Sequence, residues 1–270
     1  MRIALLVSLL VPTAACVGNI QRSARVPHAT VPLSSGQPLD GPVELSAGLA
    51  NAAEAGPVTA TSGSDAVEVP RVQMRDELRI RAGRDVTLSA IYARGFGSTT
   101  EVPDRTQAPV GPGDVDGYGM GVTVSWPTST PGLVIATQLE AVDWSVPYVE
   151  YEECTDCVTP GYTTIDHGRT TIAQFGAGLL PSYRRGRMTY FGGVFLQNHP
   201  TTPRKSIDVT LDTDDGDVRG GPANLLVHAG VEVAIAKQLS ALVSIHQDLG
   251  GGPVGYLPGI GVAISGRIGD

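Results

Sequence analysis

The sequence contains little lysine and, after its first residues, no long apolar run. Only Lys205 and Lys237 are lysines among 19 basic residues, and the others are arginines. Outside residues 1–15 no stretch reaches the roughly 18 apolar residues of a membrane-spanning helix, which excludes such a helix there. Helical spacing is also scarce, because apolar residues alternate with polar ones. The formal net charge of −8 argues against nucleic acid as a partner.

The first residues have the order of a signal peptide. Arg2 supplies a positive start, residues 3–11 form a short apolar run, and Ala14 and Ala15 are the small residues before a cleavage site. The stretch ending at Cys16 resembles a bacterial lipoprotein signal. This resemblance implies that Cys16 becomes the acylated first residue of the mature protein. The alternative is an ordinary secretory signal followed by a chance cysteine.

Three regions are predicted along the chain. Residues 1–15 form the signal peptide, residues 16–41 a flexible tether from acylated Cys16, and residues 42–270 a single β domain. The tether is predicted because its composition is polar and proline-rich and shows no periodicity.

Apolar and polar residues alternate in about ten later segments. Each segment is close to the length that a tilted strand needs to cross a bilayer. The clearest segments are 86–93, 118–126, 133–141, 225–235, 240–247 and 258–265, and the weaker ones are 43–50, 71–80, 171–179 and 189–197. The pattern predicts about ten strands, with eight as the alternative count.

Short and long connections alternate between these segments. Tight joins lie at 81–85, 127–132, 184–187 and 236–238, and long connections lie at 51–69, 96–116, 145–168 and 198–221. An up-and-down antiparallel β-barrel would place all short turns at one rim and all long loops at the other. We therefore predict an all-β barrel with short periplasmic turns, long outer loops and an N-terminal anchor on the periplasmic side.

The two faces of the strands differ in chemistry. One face carries mainly Gly, Ala, Ser and Thr, whereas the other is apolar and carries no charge in segments such as 86–92 and 225–235. A water-facing polar surface would collect lysine and glutamate instead. The apolar face is therefore predicted to contact lipid and the small-residue face to line a narrow lumen. Asp76 is an exception, since it falls on the apolar face.

Aromatic residues fall near the ends of the predicted strands. Trp126 and Tyr183 lie at periplasmic ends, and Tyr92, Tyr118 and Trp144 lie at outer ends. This placement fits the aromatic girdles of membrane barrels.

Charged strand residues gather on the small-residue face and carry both signs. Arginine forms bidentate pairs with carboxylates in confined sites, so we predict a lumen bridged by such pairs. The predicted network consists of Arg71, Arg75, Glu77, Arg79, Arg81, Glu140, His228, Glu232, His246 and Asp248. The alternative is a charged strand at a sheet edge that faces water.

Cys154 and Cys157 form a CxxC pair in a predicted outer loop. Outside the cytoplasm this spacing favours a structural disulfide over a redox centre or half of a zinc site. His167 alone would leave zinc under-coordinated.

Two other clusters are candidate ligand sites. The acidic run at 212–217 lacks the spacing of a calcium loop, which favours a solvated loop over a weak cation site. His228, Glu232, His246 and Asp248 could meet inside the barrel as a metal or acid–base site, although such groups more often have a structural role. We predict no catalytic residue, no metal and no cofactor, and hence no enzyme.

The combined pattern resembles the bacterial outer-membrane β-barrel class over residues 42–268. The resemblance implies a lipid-anchored protein of the Gram-negative outer membrane with a structural, interactive or narrow-pore role. Its partners would be outer-membrane lipid and a surface ligand or another envelope protein. The alternative is a soluble periplasmic lipoprotein barrel that binds an apolar small ligand.

Overall fold

The computed structural model is all-β. It describes residues 19–25, 27, 32–51, 56–59, 66–70, 72–96, 113–154, 161–198, 223–249 and 258–269. The strands are β1 (Asn19–Arg25), β2 (Val43–Asn51), β3 (Gly56–Thr59), β4 (Ala66–Val69), β5 (Val72–Arg81), β6 (Val86–Phe96), β7 (Val115–Pro127), β8 (Leu133–Cys154), β9 (Gly161–Arg185), β10 (Met188–Asn198), β11 (Ala223–Ala236), β12 (Leu239–Asp248) and β13 (Gly259–Ile268). None of the described residues belongs to a helix that is long and apolar enough to cross a membrane.

Ten of these strands close into an antiparallel barrel. Their order is β8-β7-β6-β5-β2-β13-β12-β11-β10-β9, and β9 pairs again with β8. Each predicted strand segment overlaps one of the ten, so the prediction of an up-and-down barrel with about ten strands is confirmed.

Four tight turns lie at one end of the barrel, which we call the tight-turn rim. They occur at residues 82–85, 128–132, 186–187 and 237–238, each between two strands that pair with one another. The opposite end, where the longer connections begin, is the long-connection rim.

The side chains that face outward from the barrel are mainly aliphatic and exposed. Val243 is 55% exposed and Leu139 is 50% exposed, whereas their inward-facing neighbours Ser244 and Glu140 are 1% and 6% exposed. A water-soluble barrel would show the reverse, because burial of apolar surface drives its folding. The predicted orientation of the two faces is therefore confirmed.

Trp144 departs from the predicted aromatic placement. Its indole is buried in the lumen, where Nε1 donates a hydrogen bond to Oε1 of Gln174 at 2.8 Å. Trp126, Tyr183 and Tyr118 face outward and are exposed. The prediction for Trp144 was wrong because alternation continues through this part of β8 and turns the residue inward.

Strands β8 and β9 continue beyond the long-connection rim. Pairing of β7 with β8 ends at Ser145, whereas β8 and β9 stay paired up to Cys154 and Gly161. The connection predicted at 145–168 is therefore largely a β-hairpin. The edge of β8 that β7 leaves unpaired is taken by β1, which pairs with Tyr148–Glu153, because an open strand edge presents unsatisfied backbone groups.

β4 pairs with β1 in parallel, and β3 pairs with β4. The part of β8 beyond Ser145 and the part of β9 before Thr171 pair with each other. Together with β1, β3 and β4 they form what we call the extension sheet.

Residues 32–42 lie inside the barrel and form what we call the lumen segment. The chain reaches it from the long-connection rim, where a guanidinium N–H of Arg25 donates to the carbonyl of Gly113. It ends at the tight-turn rim, where the N–H of Arg81 donates to the carbonyl of Pro42 at 2.9 Å. Residues 32–41, which the sequence assigns to the tether, thus lie in the lumen. A polar, proline-rich stretch suits a polar lumen as well as water.

Candidate functional site: the filled lumen

The lumen segment is fixed to the barrel wall by hydrogen bonds. Gln37 Nε2 donates to the hydroxyl oxygen of Ser182 at 2.8 Å and to its carbonyl at 3.2 Å. Ser125 Oγ donates to the carbonyl of Gly36 at 2.8 Å, and Ser35 Oγ donates to Glu232 Oε2 at 2.6 Å. The segment is therefore held from three strands, β7, β9 and β11, which lie in the same half of the barrel wall.

Gly36 allows the lumen segment to turn within this space. Its φ of 72° lies in the left-handed region, which favours glycine. A Cβ at this position would lie 2.9 Å from Cβ of Ala136 and 3.2 Å from Cβ of Leu180. Both the backbone conformation and the close approach to the wall therefore require a residue without a side chain.

Leu33 supplies an apolar contact in the lumen, farther from the tight-turn rim. It belongs to a buried cluster with Phe191, Leu242 and Ala263. Its side chain also occupies the space that a Cβ on Gly48 would need. The small residues of the wall thus leave room for a side chain of the lumen segment and not only for water.

A buried charge network crosses the lumen between β5 and β8. Arg75 donates from Nε to Glu77 Oε1 at 2.5 Å and from Nη2 to Glu140 Oε2 at 2.6 Å. All three side chains are at least nine-tenths buried. Two carboxylates around one guanidinium satisfy most of its donors without water.

A second network lies nearer the tight-turn rim. Glu44 accepts hydrogen bonds from Arg79 Nη1 at 2.7 Å and from Arg267 Nε at 3.3 Å. Arg267 also forms ion pairs with Asp40 at 3.0 Å and with Glu232 at 3.5 Å. This network therefore joins the first barrel strand, the last barrel strand and the lumen segment.

Asp40 is held on its other side as well. Arg184 Nη1 donates to Asp40 Oδ1 at 2.8 Å, at a site that is partly exposed at the tight-turn rim. Two arginines from different strands, β9 and β13, thus fix the end of the lumen segment.

Three residues of this second network, Glu44, Arg267 and Asp40, are absent from the predicted network. Glu44 shares an inward face with Ser46 and Arg267 with Ser265, so extending the alternation to the strand ends would have found both. Asp40 could not be found in this way, because it lies in a stretch without periodicity.

The other predicted residues of the network have mixed positions. Arg81 lies on the inward face of β5 but at the rim, where it is exposed, so it does not join either network as predicted. Arg71 lies outside the described residues. The backbone of Asp248 pairs with Leu226, but its side chain also lies outside the description.

His228 and His246 face one another between β11 and β12 and are buried. The ring of His228 stands edge-on to Phe191, with centroids 6.0 Å apart. Glu232 does not join the histidines, because it bonds Ser35, Ser240 and Arg267 instead. Within the described ranges, no group of three or more His, Cys, Asp or Glu residues could hold a metal ion.

The remaining predicted sites fall mostly beyond the description. Cys154 ends β8, whereas Cys16, Cys157 and the acidic run at 212–217 lie outside the described residues. Acylation of Cys16 and the disulfide between Cys154 and Cys157 stay predictions.

No family model matches the chain, and no curated protein matches it. Among solved structures it is similar to the translocator domain of autotransporter NalP from Neisseria meningitidis, with 10% identity and a TM-score of 0.40 over 84% of this chain and 88% of that one. It is also similar to LpxR from Salmonella typhimurium, with 10% identity and a TM-score of 0.38 over 83% of this chain and 100% of that one. The NanC porin shows 7% identity and a TM-score of 0.37 over 84% of this chain and 100% of that one.

The prediction that the chain is not an enzyme is corrected here. One fold can carry many unrelated functions, so a barrel architecture does not exclude catalysis, and the earlier exclusion does not hold.

Proposed function

We propose that this chain is an outer-membrane β-barrel that is closed by its own N-terminal segment and serves a structural or interaction role at the cell surface. The observation that carries the proposal is the inverted arrangement of the barrel, with aliphatic side chains outside and charged networks inside. Soluble monomers rarely expose continuous apolar patches larger than a few hundred Å². An aliphatic belt around a closed barrel suits lipid instead.

The rival proposal is a soluble barrel that binds an apolar ligand. Such a site needs a cavity lined mainly by apolar and aromatic side chains. The lumen here holds Arg75, Glu77 and Glu140, and residues 32–42 occupy the part nearer the tight-turn rim. These features favour the membrane barrel.

The lumen segment also bears on the narrow-pore role. A ten-stranded barrel is only slightly wider than an eight-stranded one, whose interior is just wide enough for side chains. Hydrogen bonds from Ser35 and Gln37 and ion pairs from Asp40 hold the segment in this space. Conduction would therefore require the segment to move, and a closed scaffold is the simpler proposal.

The extension sheet is the part of the molecule that we assign to interaction. Membrane barrels place short turns in the periplasm and long connections outside. With this orientation the hairpin of β8 and β9, together with β1, β3 and β4, projects from the cell surface. It presents polar, exposed side chains such as Thr163, Asp166 and His167.

A lipid anchor at Cys16 would then lie on the outer side of the membrane, whereas the sequence predicts an anchor on the periplasmic side. Asn19 pairs with Glu153, near the end of β8 that is farthest from the tight turns. Cys16 precedes Asn19 by only three residues, so its acyl group would also be on the outer side of the membrane.

An arginine placed in the aliphatic belt tests membrane insertion directly. Val243→Arg puts a charge on the outward face of β12, and Gln238→Arg puts the same charge in an exposed tight turn. Insertion into lipid predicts that Val243→Arg destabilises the barrel by about 2–4 kcal/mol at the midplane, while Gln238→Arg has little effect. The measurement is urea-induced unfolding in lipid vesicles.

The soluble rival predicts the opposite result. There Val243→Arg would replace an exposed aliphatic side chain with a solvated one, and the protein would stay in the aqueous fraction without detergent. That outcome would overturn the membrane proposal.

A further inference from the structure

The outward face of the barrel carries a carboxylate within its aliphatic belt. Asp76 lies in the middle of β5, and its outward neighbours on the same strand are Met74 and Leu78. In the register of the sheet it stands between Ala47 on β2 and Tyr92 on β6. Among the described residues, no hydrogen bond or ion pair to the Asp76 carboxylate is present.

Asp76 borders a groove on this outward face. The groove has a volume of about 930 Å³. Ala47, Ala90 and Gly266 leave the surface low, because they carry little or no side chain, whereas Leu45 and Ile264 rise beside them. Small residues on a membrane-facing surface allow a neighbouring backbone to approach closely.

A carboxylate at this depth calls for a cation, because charge in the hydrocarbon region is costly unless it is paired. The outward-facing cations of the described chain do not lie at this depth. Arg94 and Arg169 lie toward the long-connection rim and form ion pairs with Asp116. Arg84 and Arg187 lie at the tight-turn rim.

The positions of these cations also indicate which kind of protein could cover the groove. A second copy of the chain, inserted with the same orientation, would bring its own Asp76 and no described cation to this depth. A self-association through the groove would therefore add a second unpaired carboxylate. Charge complementarity favours a different protein.

We propose that the groove beside Asp76 is an intramembrane docking site for another integral membrane protein that brings a lysine or arginine to the depth of Asp76. The site rests on the proposed function, because it exists only if the aliphatic belt lies in lipid. The carboxylate supplies selectivity, and the small residues supply the close approach.

Model transmembrane peptides test the site. The full-length barrel, with a donor dye at Gly83→Cys in the tight turn and its three native cysteines replaced by serine, is reconstituted into phospholipid vesicles. The probes are two acceptor-labelled Leu/Ala helices that differ only in one central residue, lysine or leucine. Energy transfer then gives the affinity of each peptide for the barrel.

The lysine peptide is expected to bind about tenfold more tightly than the leucine peptide, a difference of about 1.4 kcal/mol, because it adds one intramembrane polar contact. Asp76→Leu should abolish this preference. Asp143→Leu is the matched control, because Asp143 also faces outward but stands beside Tyr118 nearer the long-connection rim. It should leave the preference unchanged.

Equal binding of the two peptides, or a preference that persists in Asp76→Leu, would overturn this inference alone. A barrel that does not enter the vesicles would overturn the proposed function, and the docking site with it.

Discussion

Arg75 joins Glu140 across the lumen, with its Nη2 atom 2.6 Å from Oε2, although β6 and β7 separate their strands in the barrel wall. Arg75 also contacts Glu77 on its own strand. The barrel is therefore braced through its interior as well as around its circumference. Removal of this guanidinium would leave two buried carboxylates without a cation.

Removal of Arg75 should destabilise the barrel strongly. Arg75→Leu leaves Glu77 and Glu140 buried without their cation, and breaking a buried pair in this way costs about 3–5 kcal/mol. The triple variant Arg75→Leu, Glu77→Leu, Glu140→Leu should recover much of that loss, because no buried charge remains. Unfolding by urea in detergent micelles gives the free energies.

Arg84→Leu is the control for loss of an arginine, since Arg84 is exposed in a tight turn. It should change the free energy of unfolding by less than about 0.5 kcal/mol. A triple variant as unstable as Arg75→Leu would contradict the expected relief.

Gly36 and Gly186 form a matched pair for testing the lumen segment. Both have positive φ, 72° and 61°, so an alanine at either position carries a similar backbone cost of about 1–2 kcal/mol. Only Gly36 lies against the wall, whereas nothing lies within 4 Å of a Cβ at Gly186. Gly36→Ala should therefore destabilise the barrel by a further 1–3 kcal/mol or so.

Thermal unfolding followed by circular dichroism compares the two variants. Equal losses would mean that residue 36 has free space around it and that the lumen segment does not pack against Ala136 and Leu180.

The lumen segment should also keep ions out. Alanine at Leu33, Ser35 and Gln37 together removes one apolar contact and the hydrogen bonds to Glu232 and Ser182. The triple variant is expected to conduct ions in planar bilayers more often than the unmodified barrel, which should stay closed. Alanine at three exposed residues of the extension sheet, Thr163, Thr164 and Ile165, is the control and should not raise the conductance.

Identical conductance in the lumen variant and the unmodified barrel would show that other parts of the lumen close it. The charge network around Arg75 would then be the next barrier to remove.

The barrel itself could be predicted from the sequence because its rule is local. Alternation of apolar and small residues repeats in each strand, and alternating connection lengths place the tight turns at one rim. The inward position of Arg75, Glu77 and Glu140 follows from the same rule. Their pairing across β6 and β7 does not, since it depends on the curvature of the closed wall.

The lumen segment could not be predicted, for a physical reason. A chain in water and a chain inside a polar lumen both need polar side chains and proline or glycine at turns, so residues 32–42 have the composition of a linker. What distinguishes the two settings is a partner remote in sequence, such as Ser182 for Gln37. Trp144 is a different case, because the alternation of β8 by itself places its indole in the lumen.

The side of the membrane on which the chain begins gives the last test. β1 pairs with the part of β8 beyond the long-connection rim, whereas the lumen segment that follows it ends at the tight-turn rim. An epitope inserted directly before Asn19 should therefore be accessible to antibody on intact Gram-negative cells that express the protein. The same epitope inserted at Gly83, in a tight turn, should become accessible only after the outer membrane is permeabilised.

If the first tag needs permeabilisation and the second does not, the barrel is inserted with its tight turns outward. If both tags need it, the N-terminal segment does not pass through the lumen in the cell, and closure of the barrel by residues 32–42 would be ruled out in that setting.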